Sequence, residues 1–88
     1  MNIKYIKEIY PEEYERIDKE ALKWVLKNKN FLKRKFNKRF PKSPFSFVVQ
    51  IRTQRGSLLV DDKSIKTLTK VSYLDWRTLK RLGCPTSF

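Results

Sequence analysis

The chain has 88 residues, which is the size of one small domain, and its 21 Lys and Arg outnumber its 9 Asp and Glu to give a net charge of +12. Hydrophobic residues make up 40% of the sequence, which is enough for a core and argues against a disordered chain. No apolar run reaches the roughly 20 residues of a membrane span, and the first residues lack the apolar region of a signal peptide. We therefore expect a cytoplasmic protein that does not insert into a membrane. Residues 1–88 should form a single basic domain with 83–88 as a short tail. Cys84 cannot form an internal disulfide, so it indicates a reducing compartment or is a chance thiol.

The first half of the chain has the pattern of helices. Residues 2–9 alternate loosely and favour a short strand over a helical turn. Pro11 with Glu12 and Glu13 behind it is typical of a helix start. The next apolar residues recur at helical spacing up to about Asn28: Tyr14, Ile17, Ala21, Trp24 and Val25. A second helix is predicted from Phe31 to about Phe40, either following directly or continuing the first with a bend.

A strand is predicted after Pro41 and Pro44, because residues 45–54 alternate between apolar and polar. One face would hold Phe45, Phe47, Val49 and Ile51, and the other Ser46, Val48, Gln50 and Arg52. A two-residue turn at Arg55 and Gly56 would pair Thr53 with Leu58 and Ile51 with Val60, all on the core face. Residues 64–72 fit either a strand or a helix. We favour a third strand, since a lone hairpin is only marginally stable.

A final helix is predicted from about 73 to 82. Ser72 and Asp75 resemble a capping box at its start, and Gly83 before Pro85 is a usual stop signal. The predicted fold class is therefore α+β. A long helix or helix pair (about 11–40) packs on a small antiparallel two- or three-stranded sheet (about 45–72), and a C-terminal helix (about 73–82) closes the fold. The predicted core comprises Ile17, Trp24, Phe36, Phe40, Phe47, Val49, Ile51, Leu58, Val60 and Leu79.

Positive charge is concentrated in residues 21–60, which contain eleven Lys and Arg and no acid. On a helix over residues 31–40, Leu32, Phe36 and Phe40 form an apolar stripe that should dock on the domain. The basic side chains then form a ridge around the rest of the helix: Lys27, Arg34 and Lys38 directly opposite the stripe, Lys35 on a flank, and Lys33 and Arg39 at the borders. Such a ridge suits the phosphates of a nucleic-acid backbone. A solvated surface and adsorption to a membrane surface are the weaker interpretations.

The C-terminal stretch "SIKTLTKVSYLDWRTLKRLG" resembles a helix-turn-helix over about 20 residues. Tyr73 stands where that pattern usually has Gly, and Thr69 where it prefers Ala. The apolar positions of the motif would be Ile65, Leu68, Leu74, Leu79 and Leu82. The resemblance implies a recognition helix that Asp75 caps, with Trp76, Arg77, Lys80 and Arg81 exposed to read DNA. The predicted order of elements also resembles that of the double-stranded-RNA-binding domain, although no residue signature of that family is present.

These patterns lead us to expect a non-enzymatic nucleic-acid-binding protein, with DNA favoured over RNA. The basic ridge would contact the backbone and the C-terminal helix could read bases. Trp24, in register with Ile17 and Ala21, is expected in the core rather than as a stacking platform. The predicted binding residues are Lys27, Lys33, Arg34, Lys35, Lys38, Arg39, Lys42, Arg52, Arg55, Trp76, Arg77, Lys80 and Arg81.

The chemistry of a catalytic or metal site is poorly represented in the sequence. The chain contains no His and one Cys, which excludes the usual zinc sites and Cys–His or Ser–His pairs. Asp61 and Asp62 fit a turn or a cap better than a magnesium site. We expect no catalytic residue, metal or cofactor. Two alternatives stay open: a small inhibitor or adaptor of a mobile element that binds an acidic protein groove, and a His-free toxin-type ribonuclease acting through Lys, Arg and Tyr.

Overall fold

The computed structural model describes residues 15–44, 47–54, 56–61 and 72–88. Helices α1 (Lys19–Lys27) and α2 (Lys29–Arg39) precede the sheet. A hairpin of β1 (Val48–Thr53) and β2 (Gly56–Asp61) follows, and helix α3 (Trp76–Arg81) closes the fold. The predicted α+β class is confirmed. The predictions for residues 2–9, for the helix start at Pro11, and for nearly all of 64–72 lie outside the described residues.

The predicted first helix is interrupted before α1 begins. Residues 15 and 16 are helical, but Ile17 forms an isolated antiparallel bridge with Thr53 of β1. The next residue, Asp18, donates its backbone N–H to the carbonyl of Arg52 at 3.0 Å. A helix running unbroken to Asn28 is therefore a wrong prediction. The edge of β1 offers hydrogen bonds that the helical spacing of the apolar residues does not reveal.

Helix α1 starts and stops at polar residues that bond its end groups. The carboxylate of Asp18 accepts the backbone N–H of Ala21 at 3.2 Å, which satisfies one of the free donors of the first turn. At the other end, the backbone N–H and the side-chain Nδ2 of Asn28 both donate to the carbonyl of Trp24, at 2.9 and 2.8 Å. The predicted stop at Asn28 is confirmed, and α2 begins at the next residue.

The hairpin has a different register from the predicted one. The cross-strand pairs on the core face are Val49–Val60, Ile51–Leu58 and Thr53–Gly56. Gly56 belongs to β2 rather than to the turn, with a φ of +151° that glycine adopts more readily than other residues. The pairing is thus shifted by two residues. Because side chains alternate with a period of two, the same residues still face the core.

The outer edge of β1 is covered at both of its ends. The N–H of Leu74 donates to the carbonyl of Val48 at 3.0 Å, and the carbonyl of Leu74 accepts the N–H of Gln50 at 2.8 Å, which makes a parallel bridge. Farther along the same edge, Asp18 bonds to Arg52 as described above. β1 is therefore the central strand of this layer, and its exposed edge is short.

The core joins α2 to the sheet through aromatic rings. The ring of Phe36 lies 5.3 Å from that of Phe40 and 6.2 Å from that of Phe47, the latter in an edge-on contact. All of the predicted core residues are buried except Trp24 and Phe40, which are partly buried against the core. Val48 is fully buried although it was predicted on the polar face, so this end of β1 is enclosed on both sides.

Helix α3 begins later than predicted, because Leu74 is held in its bridge to β1. The cap is Asp75, whose carboxylate accepts the backbone N–H of Thr78 at 2.7 Å; Ser72 does not cap the helix. Gly83 ends the helix region at a φ of +110°, as its position predicted. The chain then returns to the start of α1, where the N–H of Ser87 donates to the carboxylate of Asp18 at 2.7 Å.

Candidate nucleic-acid interface

The two faces of α2 separate apolar and basic side chains as the sequence predicts. Leu32 and Phe36 are fully buried, and Phe40 just beyond the helix is partly buried. The basic side chains lie on the remaining surface, and α2 contains no acidic residue. Five of the predicted binding residues lie on this helix. Lys33 is partly buried, and the other four are exposed: Arg34, Lys35, Lys38 and Arg39.

Three other predicted binding residues are not part of this helix. Lys27 is exposed but ends α1, on the other side of the break at Asn28, so it does not belong to the same helix as Arg34. Lys42 is exposed in the turn that follows α2. Arg55 lies outside the described residues. The basic ridge is defined from here on as Arg34, Lys35, Lys38 and Arg39 of α2.

Two cations of the basic ridge lie over aromatic rings. The ammonium of Lys35 is 5.6 Å from the centre of the Phe31 ring, and the guanidinium of Arg39 is 5.5 Å from that of Phe40. Both distances fall within the range of a cation–π contact. The rings are partly buried and the cations exposed, so these contacts order the charged groups at the surface.

Arg39 also connects the basic ridge to α3. Its guanidinium Nη1 donates to the hydroxyl of Thr78 at 3.4 Å, a long hydrogen bond between the last turn of α2 and the middle of α3. α3 has three exposed cations of its own, Arg77, Lys80 and Arg81. The contact therefore brings the basic residues of two separate helices onto neighbouring parts of the surface.

Asp75 is the acidic residue that accompanies this second group of cations. The side chain and the backbone N–H of Thr78 hydrogen-bond to it and lower the pKa of its carboxyl, and the positive charges of Arg39 and Arg81 lower that pKa further. The carboxylate therefore stays ionised, but it is engaged as the cap of α3. It acts as a structural acceptor within the basic surface.

Trp76 is held against the sheet rather than presented freely. It is partly buried, and the guanidinium of Arg52 on β1 lies 5.1 Å from its ring, with that of Arg77 at 5.4 Å. All three residues were among the predicted binding residues, but their contact with one another was not predicted. Arg52 is distant in the chain, and the contact depends on the bridge between β1 and the residue before Asp75.

A small cleft lies beside Trp76, between β1, α3 and the last residues of the chain. Cys84 lies on its wall, and burial together with the charge of Asp18 raises the pKa of this thiol to about 11. At neutral pH the sulfur is protonated and a poor nucleophile. The Asp18 carboxylate is 1% exposed and already accepts two backbone hydrogen bonds. Both groups therefore serve the packing of the C-terminal residues.

The helix-turn-helix resemblance is only partly covered by the structure. Its first helix would lie at 65–71, outside the described residues. Of its other apolar positions, Leu74 and Leu79 are buried and Leu82 is partly buried. Leu74 is in an extended bridge to β1, and the helix that would read DNA is α3, with six residues.

Comparison of the chain with protein-family models, curated proteins and solved structures found no match. Within the described residues, no helix combines the length and the apolar character needed to cross a membrane. The same residues contain no group of three acidic or Cys side chains that could hold a metal ion.

Proposed function

We propose that the protein binds nucleic acid, DNA in preference to RNA, and that it does so without catalysing a reaction. The observation that carries the proposal is the basic ridge, which projects from a helix without acids whose opposite side is fixed in the core. A rigid helix keeps its cations together and exposed. Such an array matches a partner whose negative charges are regularly and closely spaced, as in a nucleic-acid backbone.

The distribution of charge supports this partner more than net charge alone does. Surfaces that serve only solubility mix both signs, whereas residues 21–60 carry no acid. Arg34 and Lys38 lie one helical turn apart, about 6 Å along the axis, and their side chains have the reach to follow a backbone. Their contribution should be independent of base sequence, because phosphates are the same at every position.

α3 supplies the second part of the proposed interface. Arg77 and Arg81 are exposed, and guanidinium groups can hydrogen-bond base edges as well as phosphates. The bond from Arg39 to Thr78 places this helix next to the basic ridge. We assign to α3 whatever preference among base sequences the protein has. The carboxylates described in this region, Asp18 and Asp75, both act as helix caps, which supports a binding role without chemistry.

The test compares salt dependence in matched variants. Replacing Arg34 and Lys38 together by Gln should weaken binding to all DNA sequences alike and lower the slope of log affinity against log salt by about two, one for each lost phosphate contact. Fluorescence anisotropy with labelled duplex and single-stranded DNA, from about 50 to 200 mM salt, measures both quantities.

A matched control removes the same charge elsewhere. Lys19 and Lys23 are exposed on α1, and changing both to Gln alters the net charge by the same amount. This double variant should keep most of the dependence of log affinity on log salt. Equal effects of the two double variants would show that net charge, not the basic ridge, governs binding. Absence of binding to any DNA or RNA at about 50 mM salt would overturn the proposal and favour an acidic protein partner instead.

A further inference from the structure

We propose that Trp76 and Arg52 form a stacking site for an unpaired nucleobase, so that the preferred partner is a single strand. This inference rests on the proposed function and goes beyond it, because the basic ridge alone does not distinguish a single strand from a duplex. Its starting point is the contact between the Arg52 guanidinium and the indole of Trp76, at 5.1 Å. The two groups belong to different elements, β1 and α3.

The backbone and a glutamine fix this pair in place. The N–H of Trp76 donates to Oε1 of Gln50 at 3.3 Å, and Nε2 of Gln50 donates to the hydroxyl of Ser57 on β2 at 2.9 Å. Arg52 lies two residues beyond Gln50 and so extends from the same face of the strand. The start of α3 and the base of the Arg52 side chain are therefore both anchored to one strand. A site assembled in this way requires little ordering when a ligand arrives.

The pair remains open to solvent on one side. Arg52, Ser57 and Arg77 are exposed, while Trp76 is partly buried. The indole is thus packed on the protein and the guanidinium of Arg52 lies toward the surface. Bases stack on aromatic rings and on the planar guanidinium of Arg with comparable geometry. A base can extend the stack by lying on the guanidinium, or displace it and contact the indole directly.

The requirement for an unpaired base distinguishes the partner. In a duplex each base is covered by its neighbours, so only single strands, loops and ends offer a free ring face. The neighbouring cations supply the phosphate contacts that a strand also needs. Arg77 follows Trp76 directly, and Arg39 of the basic ridge reaches Thr78 two residues farther along α3. A strand whose base stacks at Trp76 can therefore follow cations toward α2.

The experiment compares base-containing and abasic strands of equal charge. Two labelled oligomers of about 12 nucleotides are used, one of thymidine and one with the same sugar-phosphate backbone but no bases. The wild-type protein should bind the thymidine oligomer about tenfold more tightly, because each stacked base adds affinity that phosphates do not. A duplex of equal length should bind less tightly than the thymidine strand at the same salt concentration, because its bases are already stacked.

The decisive variant is Arg52→Lys, which keeps the charge but removes the planar group. It should reduce the preference for the thymidine strand over the abasic strand while leaving the salt slope unchanged. Arg34→Lys is the matched control on the basic ridge and should keep the preference. Circular dichroism confirms that each variant is folded. In a Trp24→Phe background, the fluorescence of Trp76 should be quenched by the thymidine strand and not by the abasic one.

The outcomes separate this inference from the proposed function. Equal affinity for thymidine and abasic strands, or an Arg52→Lys protein that keeps the full preference, would overturn the stacking site and leave backbone binding intact. Tighter binding of the duplex would also overturn it. If none of the three nucleic acids binds, the proposed function itself fails.

Discussion

Single aspartates mark the start of α1 and of α3. Asp18 and Asp75 each precede a helix, and each accepts a backbone N–H from the third residue after it. The sequence resemblance predicted the cap at Asp75, since this residue precedes an obvious helical pattern. Asp18 was missed because it lies within a longer run of helical spacing. Its role depends on the bridge between Ile17 and Thr53, for which the local sequence has no signal.

The cap at Asp75 leads to a stability prediction. Asp75→Ala should lower the free energy of unfolding by about 1 kcal/mol, because the N–H of Thr78 loses its acceptor. The difference should depend on pH, since the pKa of the Asp75 carboxyl is lower in the folded protein than its ordinary value of 3.8. The extra stability is present above that ordinary value and is lost as the pH falls through the folded-state pKa. Urea unfolding at pH 7 and near pH 2 measures both.

Asp75→Asn is the control for the same position. Asn caps helices about as well as Asp but carries no charge, so this variant should keep most of the stability at pH 7 and show less change with pH. An Asp75→Ala protein as stable as the wild type at pH 7 would show that the cap does not contribute. The Asn variant keeps the capping hydrogen bond but removes the negative charge. It therefore separates the contribution of the hydrogen bond from that of the attraction between the Asp75 carboxylate and Arg39 and Arg81.

At the scale of elements, α2 was the easiest part of the protein to predict. Its apolar residues recur at one period and its cations occupy the other positions, so pattern alone separates the two faces. The faces of the hairpin were also predictable, but not its register, because Gly56 fits either a turn or the first position of a strand. The contact of Leu74 with β1 was not predictable, since pairing between distant segments depends on how the whole chain folds.

The backbone of Gly56 gives a prediction for the hairpin. An added Cβ would meet no atom within 4 Å, but the φ of +151° is rarely adopted by other residues. Gly56→Ala should therefore destabilise the protein by about 1 kcal/mol through backbone strain alone. Gln54→Ala, in the neighbouring turn and exposed, is the control and should change stability by less than about 0.5 kcal/mol. Thermal unfolding of both variants compares them. Stabilisation by Gly56→Ala would show that the strand relaxes to a common conformation.

The molecule as a whole combines a small core with a net charge of +12. Repulsion among the cations opposes folding, and dissolved ions screen it. The excess of positive charge could be predicted from composition. The contacts of Arg39 with α3 and of Arg52 with Trp76 could not. Those contacts require the relative placement of three elements, which no local pattern encodes.

Stability should accordingly rise with ionic strength. Increasing sodium chloride from about 20 to about 500 mM, which shortens the screening length well below the size of the domain, should raise the melting temperature. The Arg34→Gln, Lys38→Gln double variant should gain less from salt, because part of the repulsion is already gone. A melting temperature that falls with salt would mean that attractive charge pairs outweigh the repulsion. Differential scanning calorimetry measures the trend without a reporter group.

The bond from Ser87 to Asp18 also has a consequence for the order of folding. It joins residues 69 positions apart, so a growing chain cannot complete the surroundings of α1 until the sheet and α3 have been made. The Asp18 carboxylate can cap α1 early through a local bond, but burying it requires this distant partner. Contacts of such long range slow folding, because a large loop must close before they form. α1 should therefore form as a helix early and become fully enclosed only in the last step.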